Sequence, residues 1–197
     1  LTNEQMAAIG KEVGADIPFC IYQKLALVSG IGEKLSFIDQ SFECKVLLVK
    51  PKKGVSTKKA FSSLDLSRAS HRDCHLMAKG IEENDYQVVI NNLQNTLEKP
   101  SIKMVPEIEM IKQEMIKIGF DGVLMSGSGS CVFALTKSDE ILDKGFKYFR
   151  KAILSLTPDN ICIKTKTIQA PAPTPTDILA SLKLHDDKKQ PEAIIKC

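Results

Sequence analysis

Two short segments combine residue types that pack poorly with residue types that do chemistry. The first is Gly14-Ala15-Asp16-Ile17-Pro18-Phe19, which sets one carboxylate between apolar neighbours where a helix is predicted to hand over to a strand. A buried Asp needs partners, because taking its charge out of water unpaired is costly. Read alone, Asp16 is most simply a turn or cap residue, a use that Asp often fills. The second segment is Met125-Ser126-Gly127-Ser128-Gly129-Ser130-Cys131, a glycine loop between two apolar runs. Alternating glycines reach positive φ and can turn backbone amides into one concavity, with serine hydroxyls as further donors, and that set suits phosphate oxygens. The loop is not a Walker loop, since no Gly-Lys-Ser or Gly-Lys-Thr follows, and not a dinucleotide fingerprint, since no helix follows. A plain hairpin turn is the alternative reading of the loop by itself.

Weaker candidates surround these two. Lys50, Lys52, Lys53, Lys58 and Lys59 flank Gly54-Val55-Ser56-Thr57 and could attract an anionic substrate, although most such clusters are solvated surface. His71 and His75 stand four apart on a predicted helix, but Asp73 and Cys74 point elsewhere on it, so no metal site is predicted. The six cysteines, at 20, 44, 74, 131, 162 and 197, form no C-x-x-C pair and read as reduced, buried thiols.

The elements that must position these residues follow from periodicity. Thr2 and Gln5 have capping-box spacing, and Met6, Ile9 and Val13 share one helical face before Gly14, a predicted left-handed stop. Residues 17–37 read as two strands around Gly30 and Gly32, and Lys45 to Val49 as a further strand closed by Pro51. Ser56 or Thr57 caps a short helix. Others run around Asp73 to Lys79, over the face Tyr86, Val89, Leu93 and Leu97, and from Pro106 with Ile108, Ile111, Met115 and Ile118 inward. A strand to Met125, a strand from Cys131 to Leu135, a helix from Asp139 to Leu154 and a strand from Ile161 to Ile168 complete the pattern. From Lys45 the order is βαββαβ, a ferredoxin-like antiparallel sheet with helices on one face. Beyond Gln169 come a Pro-rich linker and a polar tail with at most one short helix, at 177–184.

Composition bounds the class. The 197 residues are 43% hydrophobic and 26% charged, which excludes wholesale disorder, and 27 basic against 24 acidic residues leave a surplus too small to favour nucleic acid as a partner. No apolar run approaches the roughly 20 residues of a membrane-spanning helix, and no signal peptide is legible, so the expected location is cytoplasmic.

Taken together, Gly14 to Phe19 after a capped helix, Gly30-Ile31-Gly32-Glu33, Pro51 with Gly54-Val55-Ser56-Thr57 and Phe61, and Leu124 to Ser130 before Val132-Phe133 resemble the GHMP small-molecule kinases in content and order. The resemblance runs from Leu1 to about Ile168. It implies ATP, with Mg2+ accompanying the nucleotide, and it assigns Asp16 as the catalytic carboxylate that takes or orients the proton of the acceptor hydroxyl. Gly127, Ser128 and Gly129 match the family's third motif, which lines the site and supports the nucleotide-phosphate loop. Within the family the wording is most similar to a member acting on a cytidine diphosphate derivative, which makes Phe61 a stacking platform for cytosine and Ser56 and Thr57 substrate-binding residues. The family's Gly-Leu-Gly-Gly-Gly-Ser-Ser phosphate loop occurs nowhere in the sequence, and Gln23-Lys24 stands where the family usually has a glycine pair.

The resulting expectation is an α+β chain of GHMP kinase-like fold. Residues 1–43 are the end of an amino-terminal ATP-binding domain, 44–168 a ferredoxin-like βαββαβ carboxy-terminal domain with inserted helices, and 169–197 linker and tail. The expected activity is ATP-dependent phosphorylation of a small-molecule alcohol, with the missing amino-terminal half supplied in cis or in trans. The alternatives are a non-catalytic binding module on the same fold and a GHMP kinase for another alcohol.

Overall fold

A computed structural model describes residues 1–64, 73–156 and 160–167. His71, the linker and tail from 169, and Cys197 lie outside the described residues.

The chain opens with α1 (Asn3–Val13), whose N-cap Thr2 and Gln5 form the full reciprocal capping box. Gly14 follows in extended rather than left-handed backbone, with φ −173. Where a strand was expected from Ile17, the structure has a second helix, α2 (Ile17–Tyr22). Its β-branched and aromatic composition suggests a strand, but Pro18 falls in the first helical turn, where no N–H is needed, and a strand ladder would miss that donor. Asp16 therefore sits at a helix-to-helix junction. The hairpin β1 (Ala26–Ser29) and β2 (Lys34–Phe37) follows in the expected place, turning through Gly30 and Gly32.

The main sheet has the order β4-β5-β3-β6, every neighbouring pair antiparallel, with β3 (Lys45–Lys50), β4 (Gly122–Met125), β5 (Val132–Thr136) and β6 (Ile161–Lys166). That is the ferredoxin-like order for βαββαβ. The first crossover carries α3 (Thr57–Ser62), α4 (Cys74–Glu82), α5 (Tyr86–Asn91), α6 (Glu98–Met104) and α7 (Glu107–Ile118), and the second is α8 (Asp139–Leu156). The expected helix through Leu97 is two helices: α5 stops at Asn91, and Leu97 is the N-cap of α6. Pro100 lies in the first turn of α6, where its missing N–H costs nothing.

Helices cover both faces of this sheet, not one. Leu47, Val49, Val132 and Ala134 face a core shared with Val105, Ile108, Met115, Leu142 and Phe149 of the α6 to α8 side. Val46, Phe133 and Leu135 face a second core with Ile38, Phe42, Met77, Ile81 and Val89. The apolar runs Val46-Leu47-Leu48-Val49 and Val132-Phe133-Ala134-Leu135 carry no polar alternation, as strands buried on both faces require. By contrast α1 buries only Gly10, and Ile9, Val13 and Ile31 are exposed. No helix among the described residues is long and apolar enough to cross a membrane.

Candidate active site

The glycine loop joins β4 to β5. Gly127 and Gly129 both take positive φ, 54° and 90°, and a Cβ on Gly129 would lie 2.6 Å from Met125 Sδ, so glycine there is required by conformation and by space. Ser126 N–H donates to the Cys131 carbonyl at 2.8 Å and Gly129 N–H to the Ser126 carbonyl at 2.9 Å, closing the turn between β4 and β5.

Two of the segments singled out in sequence meet here. The hydroxyls of Thr57 and Ser128 lie 2.8 Å apart across 71 residues of chain, tying the first turn of α3 to the tip of the loop. Ser56 is the N-cap of α3, its hydroxyl accepting from Lys59 N–H at 3.4 Å. Phe61, on the same helix, is 58% exposed. A helix-face Phe that served the core would be covered, so its ring is available as an apolar platform. Lys52, Lys53, Lys58 and Lys59 are exposed around this helix, and Lys50 acts electrostatically on Cys131, partly offsetting the burial that pushes that thiol's pKa up.

Asp16 is carried by separate elements. It is exposed at the start of α2, its carbonyl accepting from Cys20 N–H at 3.1 Å, and its side chain makes no helix-cap bond. The hairpin braces this junction: Gly32, at φ 131°, comes so close that a Cβ would lie 2.5 Å from the Ala15 carbonyl oxygen. The turn is itself pinned by Ile31 N–H donating to Glu33 Oε2 at 2.8 Å, and backbone hydrogen bonds hold the Glu33 carboxyl below its ordinary pKa. The Gly30-Ile31-Gly32-Glu33 segment thus has a positional role beside Asp16.

Sequence reasoning missed the residues behind the loop. Asn95 Nδ2 donates to the carbonyls of Met125 and Gly127 at 2.7 and 2.8 Å, Glu98 Oε1 accepts from Met125 N–H at 3.0 Å, and the fully buried Ser101 donates to the Ser128 carbonyl at 2.9 Å. Glu98 also pairs with Lys112 of α7 at 2.6 Å. The signal available was the polar run Asn91-Asn92-Leu93-Gln94-Asn95, which interrupts the apolar stripe where α5 ends. Among the described residues no group of three or more His, Cys, Asp and Glu side chains is placed to hold a metal ion. Cys20 and Cys74 are exposed, contrary to the expectation of buried thiols, whereas Cys44 is buried; all the described cysteines are free.

Comparison with known proteins adds the following. Residues 77–152 match the family described as GHMP kinases C terminal. A protein named 4-diphosphocytidyl-2-C-methyl-D-erythritol kinase from Exiguobacterium sibiricum is 44% identical over 139 residues, covering 71% of this chain and 49% of the relative. One of the same name from Bacillus pumilus is 39% identical over 150 residues, 76% of this chain and 52% of the relative. The chain spans about half the length of the curated relatives it matches. Among solved structures, a 4-(cytidine 5'-diphospho)-2C-methyl-D-erythritol kinase aligns with TM-score 0.63 at 22% identity, over 80% of this chain and 56% of that one. A homoserine kinase from Cytophaga hutchinsonii aligns with TM-score 0.61 at 19% identity, over 80% of this chain and 52% of that one. At those identities the two structures speak to the fold.

Proposed function

We propose that this protein, whose residues 77–152 match the family described as GHMP kinases C terminal, serves the transfer of the ATP γ-phosphoryl group to the tertiary hydroxyl of 4-diphosphocytidyl-2-C-methyl-D-erythritol, in non-mevalonate isoprenoid biosynthesis. The observation that carries the reading is the junction of Thr57 and Ser128, which brings the helix bearing exposed Phe61 to the glycine loop, in a chain 39–44% identical to kinases of that name. Exposed Phe61 favours a cytidine substrate over the small alcohols of other GHMP kinases, because a flat apolar face is what pyrimidine recognition needs.

Each residue has a part in this scheme. Asp16 takes or orients the proton of the acceptor hydroxyl as the phosphoryl group arrives, the one proton-handling task phosphoryl transfer requires. Phe61 stacks on cytosine, Ser56 and Thr57 contact the substrate, and Gly127, Ser128 and Gly129 line the phosphate side. Mg2+ would accompany the nucleotide and offset part of its phosphate charge. The preorganised donors that meet charge on the transferring group are assigned to the Gly-Leu-Gly-Gly-Gly-Ser-Ser loop absent from these 197 residues, supplied in cis or in trans by the other half of the kinase. The division at 43 and 44 between the two kinase domains is part of the same reading, as is a cytoplasmic location.

The test combines the chain with the amino-terminal half of a relative and follows ATP-dependent phosphorylation of the cytidine substrate. Turnover is expected in the pair and not in the chain alone, and Asp16→Asn is expected to lower it about 10²-fold with folding intact. Near-normal turnover by Asp16→Asn would make the carboxylate structural, and turnover by the chain alone would place the phosphate site within residues read here as structural.

A further inference from the structure

We propose that Asn95, with Glu98 and Ser101 beside it, is a positioning residue that aims the Ser128 amide N–H at an anionic oxygen of the bound nucleotide substrate. The proposal rests on the reading of the loop as part of the active site. Glu98 and Ser101 stand three apart on α6, with Asn95 in the turn before it, so the three form a file along the back of the loop. Each of the three bonds loop backbone: Asn95 donates to the Met125 and Gly127 carbonyls, Glu98 accepts from the Met125 amide, and Ser101 donates to the Ser128 carbonyl. None of these bonds depends on a loop side chain.

The consequence follows from peptide geometry. In a planar trans peptide the C=O and the next N–H point in opposite directions. The Gly127–Ser128 peptide is trans, and its carbonyl is held by Asn95 at 2.8 Å, so the Ser128 N–H is turned away from α6. Two other amides of the loop are used inside the turn, Ser126 N–H by the Cys131 carbonyl and Gly129 N–H by the Ser126 carbonyl. Drawing the carbonyls of 125, 127 and 128 to the α6 side also keeps their negative ends from facing an anion. On the loop's other flank the Ser128 hydroxyl meets Thr57, so the presented amide lies beside the helix that carries Phe61.

Two substitutions separate this role from general stability. Asn95→Leu keeps the volume and removes the donor. Asn95→Asp keeps the oxygen that accepts from Leu97 N–H at 2.9 Å but sets a second oxygen against two carbonyls, and only protonation of the introduced carboxyl restores a donor. CDP is titrated into the isotope-labelled chain and the Ser128 amide resonance is followed, with Phe149→Leu in the α8 core as a control matched for loss of thermal stability. The Ser128 amide is expected to shift on CDP binding, with affinity about tenfold lower in Asn95→Leu, the equivalent of one lost hydrogen bond. The loss in Asn95→Asp, relative to the unmodified chain at each pH, should shrink as the pH is lowered. CDP affinity equal to that of the unmodified chain in Asn95→Leu, or no recovery of Asn95→Asp at low pH, overturns the proposal. If the unmodified chain does not bind CDP, the cytidine reading fails and amide exchange decides the proposal: faster exchange at residues 127–129 in Asn95→Leu than in Phe149→Leu upholds it, and equal exchange overturns it.

Discussion

Lys112→Met tests how the back of the loop is held to the core. The Lys112–Glu98 pair is nearly enclosed, with side chains 14% and 16% exposed and an N–O distance of 2.6 Å. At that separation the attraction is about 6 kcal/mol for an effective dielectric of about 20, and desolvation of the two ions offsets most of it. The pair as a whole therefore stabilises little, but removing one partner strands the other. Loss of one member of a fully buried pair costs about 3–5 kcal/mol. Glu98 retains some solvent contact and the Met125 N–H at 3.0 Å, which places Lys112→Met at about 2–3 kcal/mol, just below that range. For a chain of this size the melting temperature should fall by about 5–10 °C. Urea and thermal unfolding of Lys112→Met, Glu98→Gln and the double variant measure the cycle. The double variant, which leaves no stranded charge, should lose only about 1 kcal/mol. A loss below about 0.5 kcal/mol in Lys112→Met, or additive losses in the double variant, would show that solvent screens the pair and would refute the enclosure argument.

Four further outcomes are expected. Phe61→Ala should weaken CDP binding by about 1–3 kcal/mol with an unchanged melting temperature, whereas a lower melting temperature at constant affinity would return the ring to the core. With an alkylating reagent at pH 8, exposed Cys20 and Cys74 should label before Cys44, which is buried and whose thiol burial pushes up to about 11. That shift has a sign in stability too: the unfolded thiol ionises near 9.0 and the folded one near 11, so the contribution is complete below pH 9 and lost as the pH climbs from 9 to 11, a loss that Cys44→Ala should flatten in alkaline unfolding curves. Amides of residues 1–42 should exchange faster than those of β3 and β5, since α1 buries only Gly10 while β5 is buried at every position; equal protection would mean that exposed Ile9 and Val13 overstate the looseness of this segment.

What was legible in the sequence was whatever local rules decide. The Thr2–Gln5 capping box, the Ser56 cap, the Gly30–Gly32 turn and the strand limits of the main sheet all stand close to where spacing put them. The glycine loop was legible because positive φ selects glycine whatever lies around it. Residues 17–22 misread because strand-like side chains outweighed one proline whose position in a first turn is permissive for helix. The second covered face of the sheet was written in Val46 to Val49 and Val132 to Leu135, runs too apolar for a sheet with one wet side. The contacts of Asn95, Glu98 and Ser101 were not legible, since each spends a common side chain on a backbone group that any residue could have supplied.

That last asymmetry bears on how the site is stabilised. Its defining bonds span long stretches of chain: 27 residues for Glu98 and Ser101, 30 and 32 for Asn95, and 71 for Thr57 with Ser128. Closing such loops costs several times RT before any bond returns energy, and the bond between two exposed hydroxyls returns about 1 kcal/mol at most. The side chains at the site cannot assemble it. The closure is met by the sheet, where β5 pairs with β4 and β3 and buries Val132, Ala134, Met125 and Leu47 against α7 and α8, and this places β4, the loop and the residue before α3 in register first. Val55 packs against that same core, one residue before the Ser56 cap. Substitutions in the core should therefore disturb the candidate site and the melting temperature together, while substitutions at Thr57 or Ser128 should alter ligand binding and leave the melting temperature nearly unchanged.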